Sequence, residues 1–401
     1  MTSRNQAAEG VNRMMFETGA RTYMGPRDHG ESQYEFLNRS GRPQFAAARL
    51  SIDDWYSRLC DGLKDQVFHR VRSGNDQQFD AAYWELYLHE LFLRLGYEIS
   101  CELALPSNRK IDFLLRRGDA AFYLEATTAG KPDEQRGADA RRDRIYRELN
   151  KVKTTAFMLG ITIDQAGRGD APRLATLRED LEAWLAGLDP DEIQHQWEVN
   201  GEVQSYGWSD DSGWTVTLEA FPNKPEQRDQ PIDRPLGMFF EDTMDTMDEI
   251  PLMRALKRKQ PSRYGDLSFP YVVAVSETSL TPFDATQHRT NVMFGSARLV
   301  YGDDFGPRWV RAGDGIWRGP GAHPRNRRLA AVLFASHLKP WTIDQADLEW
   351  WDNPFANHPV PEELLPDVAT RRQLVPDHMG DGTIRGTPPA RSAGSVLSMD
   401  K

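Results

Sequence analysis

A chain of 401 residues with 39% hydrophobic and 27% charged residues can bury two or three domains or one elaborated core, which excludes a small disulfide-stapled protein. No apolar run approaches the ~20 residues needed to cross a bilayer, and the opening MTSRNQAAEGVNRMMF lacks the apolar centre of a signal peptide, so the expectation is a cytoplasmic protein with no membrane association. The formal charge of −11 argues against indiscriminate binding of nucleic acid while leaving room for local basic patches, and two cysteines, Cys60 and Cys101, cannot build a zinc cage and read as small buried side chains.

Residues 1–50 are rich in Arg, Gly, Ser and Asn with few periodic apolar positions, which predicts an irregular N-terminal arm. From Ile52 the spacing becomes helical through IDDWYSRLCDGLKDQVFHRV and, after SGND, through FDAAYWELYLHELFLRLGY, where Gly96 marks the stop. A strand YEISCEL follows, then KIDFLLRRGDAAFYLEATTAGK, which reads as a β-hairpin. Beyond the polar link AGKPDEQRGADA come a basic helix, ARRDRIYRELNKVKT, a strand FMLGITI, and an amphipathic helix over 173–188. The texture changes after Asp189, with strands expected at WEVNGEV and GWTVTLEAF, a solvated acidic run EDTMDTMDE, a helix around PLMRALKRKQ, and buried strands PYVVAVS and AAVLFAS. Trp350 and Trp351 read as packing residues, RNRR at 325–328 as a solvating loop or a nucleic-acid contact, and the Gly, Pro and Ser content of residues 368–401 predicts a disordered tail.

The hairpin carries the chemistry. With Gly118-Asp119 as a two-residue turn, Arg117 pairs with Ala120, and stepping five residues out along each strand sets Asp112 opposite Glu125. Alternation puts Ile111, Phe113 and Leu115 on one face with Phe122, Leu124 and Ala126, and leaves Asp112, Tyr123, Glu125 and Thr127 on the other. Directly opposed residues have Cβ atoms about 4.5–5.5 Å apart, where like charges repel unless something such as a divalent cation compensates. The alternative is a wet polar face on which solvent separates the two carboxylates.

A helix bearing Glu85, the Gly96-Tyr97 stop, a strand, IDF, LEA on a hairpin, then helix and strand resemble, over residues 79–163, the core of the PD-(D/E)XK nuclease superfamily. The resemblance implies an α/β fold with an αβββαβ core and a mixed sheet, here assigned to residues 51–190, with a C-terminal α/β region at 191–367 of unassigned role. It also implies metal-dependent phosphodiester hydrolysis with Mg²⁺ or Mn²⁺, in which Glu85, Asp112 and Glu125 are the acidic residues and the Ala126 carbonyl a further ligand. Mg²⁺ suits such a set because it takes hard oxygen donors, one or two carboxylates among them. Thr127 stands where the superfamily pattern has lysine, so the cation must come from elsewhere; Lys131, Lys151 and Lys110 are the candidates. YLEAT, RYGDLSFPYVVAV and WWDNPFANHPVP also resemble a bacterial group with E-A-T in place of E-x-K, which makes Thr127 a family habit.

Arg141, Arg142, Arg144 and Arg147, with Lys151 and Lys153, form either a phosphate-contacting surface or a solvated helix face. His89, one turn after Glu85, is either a metal neighbour or a packed histidine. The function expected is a nuclease, acting on DNA in preference to RNA, in bacterial DNA processing or defence. The alternative is a catalytically silent module of the same fold that binds nucleic acid or a protein partner. A homodimer or protein contact through the C-terminal region is compatible with either.

Overall fold

The computed structural model describes residues 13–130, 142–165, 174–211, 213–232, 234–240, 249–278, 285–302, 305–319, 323–375 and 383–398. Its chain divides into two compact units: Met1–Gly25, Ser32–Lys131 and Met247–Lys401 form the first, and Pro26–Glu31 with Pro132–Thr246 the second.

The first unit begins with α1 (Gln33–Arg39), α2 (Pro43–Arg58), α3 (Asp61–Val71) and α4 (Asp76–Arg94), followed by β1 (Glu98–Ala104), β2 (Lys110–Arg117) and β3 (Ala120–Ala129). Local chemistry fixes the boundaries. Ser32 and Glu35 exchange side-chain and backbone hydrogen bonds in a capping box that starts α1, and the Asn75 side chain accepts the amides of Gln77 and Gln78 at the head of α4. Gly96 ends α4 at φ 82°, and Gly118 turns the β2–β3 hairpin at φ 59°, a left-handed backbone that disfavours other residues.

The chain then builds the second unit from α5 (142–149), β4 (Phe157–Gln165), α6 (Leu174–Ala186), α7 (Pro190–Asn200), β5 (Gln204–Ser209), β6 (Thr215–Pro222) and β7 (Leu236–Phe240). Its four strands lie in the order β5-β6-β4-β7 over a core that includes Ile145, Leu149, Leu159, Leu181 and Trp214. Two sequence expectations are corrected here. The basic helix and FMLGITI do not complete the hairpin's sheet; β4 pairs antiparallel with β6 and parallel with β7, because its apolar residues are covered by this unit's own helices. Residues up to Asn200 of WEVNGEV are helical, since Asp189 caps the amides of Asp191 and Glu192 and Pro190 occupies the first turn.

Returning to the first unit, the chain adds α8 (Glu249–Arg258), β8 (Tyr271–Glu277), α9 (Ala285–Phe294), β9 (Ala297–Gly302), β10 (Phe305–Arg311), β11 (Leu329–Ser336), β12 (Asp347–Asp352), β13 (Thr370–Val375), β14 (Thr383–Thr387) and α10 (Ala393–Leu397). A mixed sheet of eight strands runs β1-β2-β3-β8-β11-β12-β13-β14, with β8 parallel to both β3 and β11. The fold is thus α/β. The αβββαβ order is met by α4, β1, β2, β3, α8 and β8, with the second unit inserted between β3 and α8, so the core is not the continuous 51–190 expected. Residues of α4 such as Trp84, Leu88 and Leu91 pack with Phe113, Leu115, Phe122 and Leu124 on one side of the sheet. Leu252, Ala255 and Leu256 of α8 pack with Leu114, Tyr123 and Val273 on the other.

Other expectations change as well. The segment read as an irregular arm contributes α1 and the first half of α2, and buries Met15, Phe16, Phe36, Leu37 and Phe45 in the α4-side core. The segment read as a disordered tail supplies β13, β14 and α10, with Val368, Ala369, Ala393 and Leu397 buried. Ile111 leaves the face of Phe113 and Leu115 for the α8-side core, because β2 parts from β3 beyond the Phe113–Leu124 pair. Cys60 and Cys101 form a disulfide from the start of α3 to β1. Trp350 and Trp351 are buried on opposite faces of β12, as packing residues should be. EDTMDTMD, at 241–248, lies outside the described residues. Among the described residues no helix is long and apolar enough to cross a membrane.

Candidate functional site

The β2–β3 ladder follows the register expected from the turn, pairing Arg117 with Ala120 through to Phe113 with Leu124. At the next position side chains replace the backbone. The Asp112 amide donates to Glu125 Oε2 at 3.1 Å, and the Ala126 amide donates to Asp112 Oδ2 at 2.8 Å. An extended residue points its N–H and C=O to the same edge of the strand, so the Ala126 carbonyl faces the opening between β2 and β3 as well. The hairpin therefore brings together two carboxylates and a carbonyl, the hard oxygen set that a small divalent cation takes.

Lys259, immediately after α8, brings its ammonium to 2.6 Å from Glu125 Oε1 and 3.7 Å from Asp112 Oδ2. Tyr264 donates its hydroxyl to the same Glu125 oxygen at 2.7 Å, and Tyr271 donates to the Lys259 carbonyl at 2.8 Å, which fixes the backbone under the lysine. β8 makes this possible: it pairs Val273 with Glu125 in parallel register, so the helix and turn that precede it lie over the carboxylates.

The electrostatics follow from this crowding. Burial first, then the negative charge of Glu125, push Asp112 up to about 6, against the opposing pull of Lys259 and the Ala126 amide. Burial alone would lower the pKa of Lys259, but the charges of Asp112 and Glu125 outweigh it and raise it. Tyr264 is raised by burial and by the Glu125 carboxylate, so its proton stays on the phenol and it acts as a donor.

Glu85 projects from α4 and is held by the Arg70 guanidinium of α3 in a two-pronged ion pair, one arm of which measures 2.8 Å. Burial raises its pKa while Arg70 opposes, and Asp112 and Lys259 both act on it electrostatically, which places it beside the pair. Glu85, Asp112 and Glu125 nevertheless do not bring ligand oxygens all within 4.8 Å of one another, so the three do not form one closed cluster. A cleft of about 550 Å³ opens here, with Ala126, Thr127 and Thr128 among its walls and Arg70, Arg109, Lys110, Arg258, Lys259 and Arg263 supplying positive charge. A chain of net negative charge thus keeps a local cationic cleft next to its acidic pair, lined by Ala126, Lys259 and Tyr264 among others.

Of the lysines expected to replace the one missing at Thr127, Lys110 lines the cleft but pairs with Glu102 at 2.7 Å. Lys151 belongs to the second unit, where it pairs with Glu148, and Lys131 and Arg141 lie outside the described residues. Arg142, Arg144 and Arg147 sit on α5 in the second unit, anchored through Ile145 and Leu149 with Arg144 and Arg147 exposed. His89 faces the cysteine pair and not the acids. The groups sequence reasoning missed are Lys259, Tyr264 and Arg70. Lys259 closes the run LKRKQ at a predicted helix end, and nothing in its spacing ties it to a glutamate 134 residues earlier. In comparisons with family models, curated proteins and solved structures, nothing matches this chain.

Proposed function

We propose that the cleft is the active site of a metal-dependent nuclease that hydrolyses phosphodiester bonds. The observation that carries this reading is the convergence of Asp112 and Glu125 on Lys259, which itself lines a cationic cleft. Asp112, Glu125 and the Ala126 carbonyl would hold Mg²⁺ or Mn²⁺, with Glu85 nearby to orient a water. A cation bound there would supply Lewis-acid polarisation of a phosphoryl oxygen and a lowered pKa for bound water. Arg109, Arg258 and Arg263 would receive the phosphates on either side of the scissile bond. Lys259, kept protonated by its acidic neighbours, takes the place of the lysine absent at Thr127 and is suited to stabilise developing phosphate charge. Tyr264 holds Glu125 in place through its hydroxyl. The preference for DNA over RNA, and a place in bacterial DNA processing or defence, rest on the resemblance to the PD-(D/E)XK superfamily alone.

One observation favours the second reading, a silent module that binds nucleic acid. Lys259 already pairs with both carboxylates and offsets one of their two charges, so part of what a cation would supply is met within the protein. Incubating the full chain with linear duplex, circular and single-stranded DNA and with RNA, in Mg²⁺, Mn²⁺ or EDTA, separates the two. Cleavage that needs metal and is lost in Asp112→Asn and Lys259→Met supports the nuclease; binding without cleavage supports the module. Cleavage at full rate in Asp112→Asn refutes the assignment.

A further inference from the structure

We propose that Cys60, His89 and Cys101 are the protein ligands of a zinc-class metal site that forms when the Cys60–Cys101 disulfide is reduced. Three elements of the first unit meet here: Cys60 precedes α3, His89 lies on α4 and Cys101 on β1. Both sulfurs and a ring nitrogen of His89 lie within 4.8 Å of one another, and among the described residues no other group of three such donors converges so closely. Zinc–sulfur bonds of about 2.3 Å and zinc–nitrogen bonds of about 2.0–2.1 Å at tetrahedral angles put donors about 3.5–3.8 Å apart, so the two sulfurs, bonded to each other in the disulfide, must separate once that bond is reduced.

The histidine supplies the independent observation. Its side chain is buried, at 4% exposure, and its Nδ1 has no hydrogen-bond partner. A buried polar nitrogen with no partner is unfavourable, and coordination or a reorganised ring would remove that cost. Burial also holds its pKa below the usual histidine value, so the ring is neutral and competent to ligate at neutral pH. Two thiolates with an imidazole select a borderline-soft ion, unlike the oxygen set of the acidic pair, and three protein ligands leave one tetrahedral position for water.

The chemistry balances in two steps. An external dithiol gives two electrons and two protons to the disulfide, leaving two cysteine thiols and becoming a disulfide itself. The divalent ion then binds both sulfurs and the imidazole and releases about two protons. Disulfide and metal are therefore exclusive states of one site, and a reducing compartment favours the second. The proposal shares no ligand with the acidic pair and stands whether or not that pair cleaves nucleic acid.

The test uses the full chain reduced with a phosphine, freed of metal and titrated with Co²⁺. One equivalent should produce the intense near-ultraviolet absorption of thiolate–cobalt charge transfer, Zn²⁺ should abolish it, and Asp112→Asn should retain it. Cys60→Ser and Cys101→Ser should lose it, and His89→Gln should weaken binding by at least ~10-fold, since even outer-shell changes cost that much. X-ray absorption of the Zn²⁺-loaded wild type provides a readout that needs no variant, with two sulfurs expected in the first shell. Absence of the charge-transfer band in reduced wild type, or a shell of oxygen and nitrogen only, overturns the proposal.

Discussion

Asp112→Asn removes a charge that burial and then the Glu125 carboxylate disfavour, and its effect on stability depends on pH in a direction the structure fixes. Asp112 stands at about 6 where the ordinary value is 3.8, and at about 1.4 kcal/mol per pH unit that gap corresponds to about 3 kcal/mol. A carboxyl whose pKa is raised by folding binds its proton more tightly in the folded state than in the unfolded chain. The wild type is therefore favoured at low pH and loses stability at this site as pH rises from about 4 through 6. Asparagine carries no such proton, and its amide oxygen can still accept from the Ala126 amide. The unfolding free energy of the variant minus that of wild type should rise by about 2–3 kcal/mol between pH 4 and pH 7. Urea denaturation of both proteins in EDTA, followed by tryptophan fluorescence at fixed ionic strength, measures this difference while titrating groups distant from Asp112 cancel. Added Mg²⁺ should close the gap, because an ion at a hundredfold its Kd stabilises the wild type by about 2.7 kcal/mol. A difference that is flat with pH, or that falls as pH rises, refutes the reasoning.

Lys259→Met leaves both acids without their cation and should cost about 3–5 kcal/mol near pH 7.5. The cost should shrink near pH 5 as the pair takes up a proton, so a small pH-independent loss in denaturation titrations would contradict the ion-pair geometry. Tyr264→Phe removes one hydrogen bond to a buried carboxylate and should cost about 1.5–3 kcal/mol in urea unfolding, with little change in fold by circular dichroism. Replacing Arg144 and Arg147 with Gln should, where α5 contacts duplex phosphates, lower the slope of log affinity against log salt by up to about 0.9 per lost contact. An unchanged slope in fluorescence anisotropy returns α5 to a solvated face.

The hairpin, with Asp112 beside Glu125, was legible because everything that sets it is local: a glycine able to turn at Gly118, period-two alternation, and a register counted out from the turn. Glu85 was legible as a polar residue on the long apolar helix α4, and α8 and β8 were legible as elements. Their place was not. A strand such as Phe157–Gln165 carries the same apolar signature whichever sheet receives it, so its residues could not say that β8, more than a hundred positions later, lies next to β3. Nor could an aperiodic N-terminal segment reveal that Phe16, Phe36 and Phe45 find a core, since docking against α4 and not spacing along the chain buries them. Lys259 met Glu125, and Cys60 met Cys101, only once the tertiary fold had closed those distances. Local stereochemistry writes turns, caps and alternation into neighbouring residues, whereas the choice of partner between distant elements is made by the total surface they bury together, which no short stretch of sequence contains.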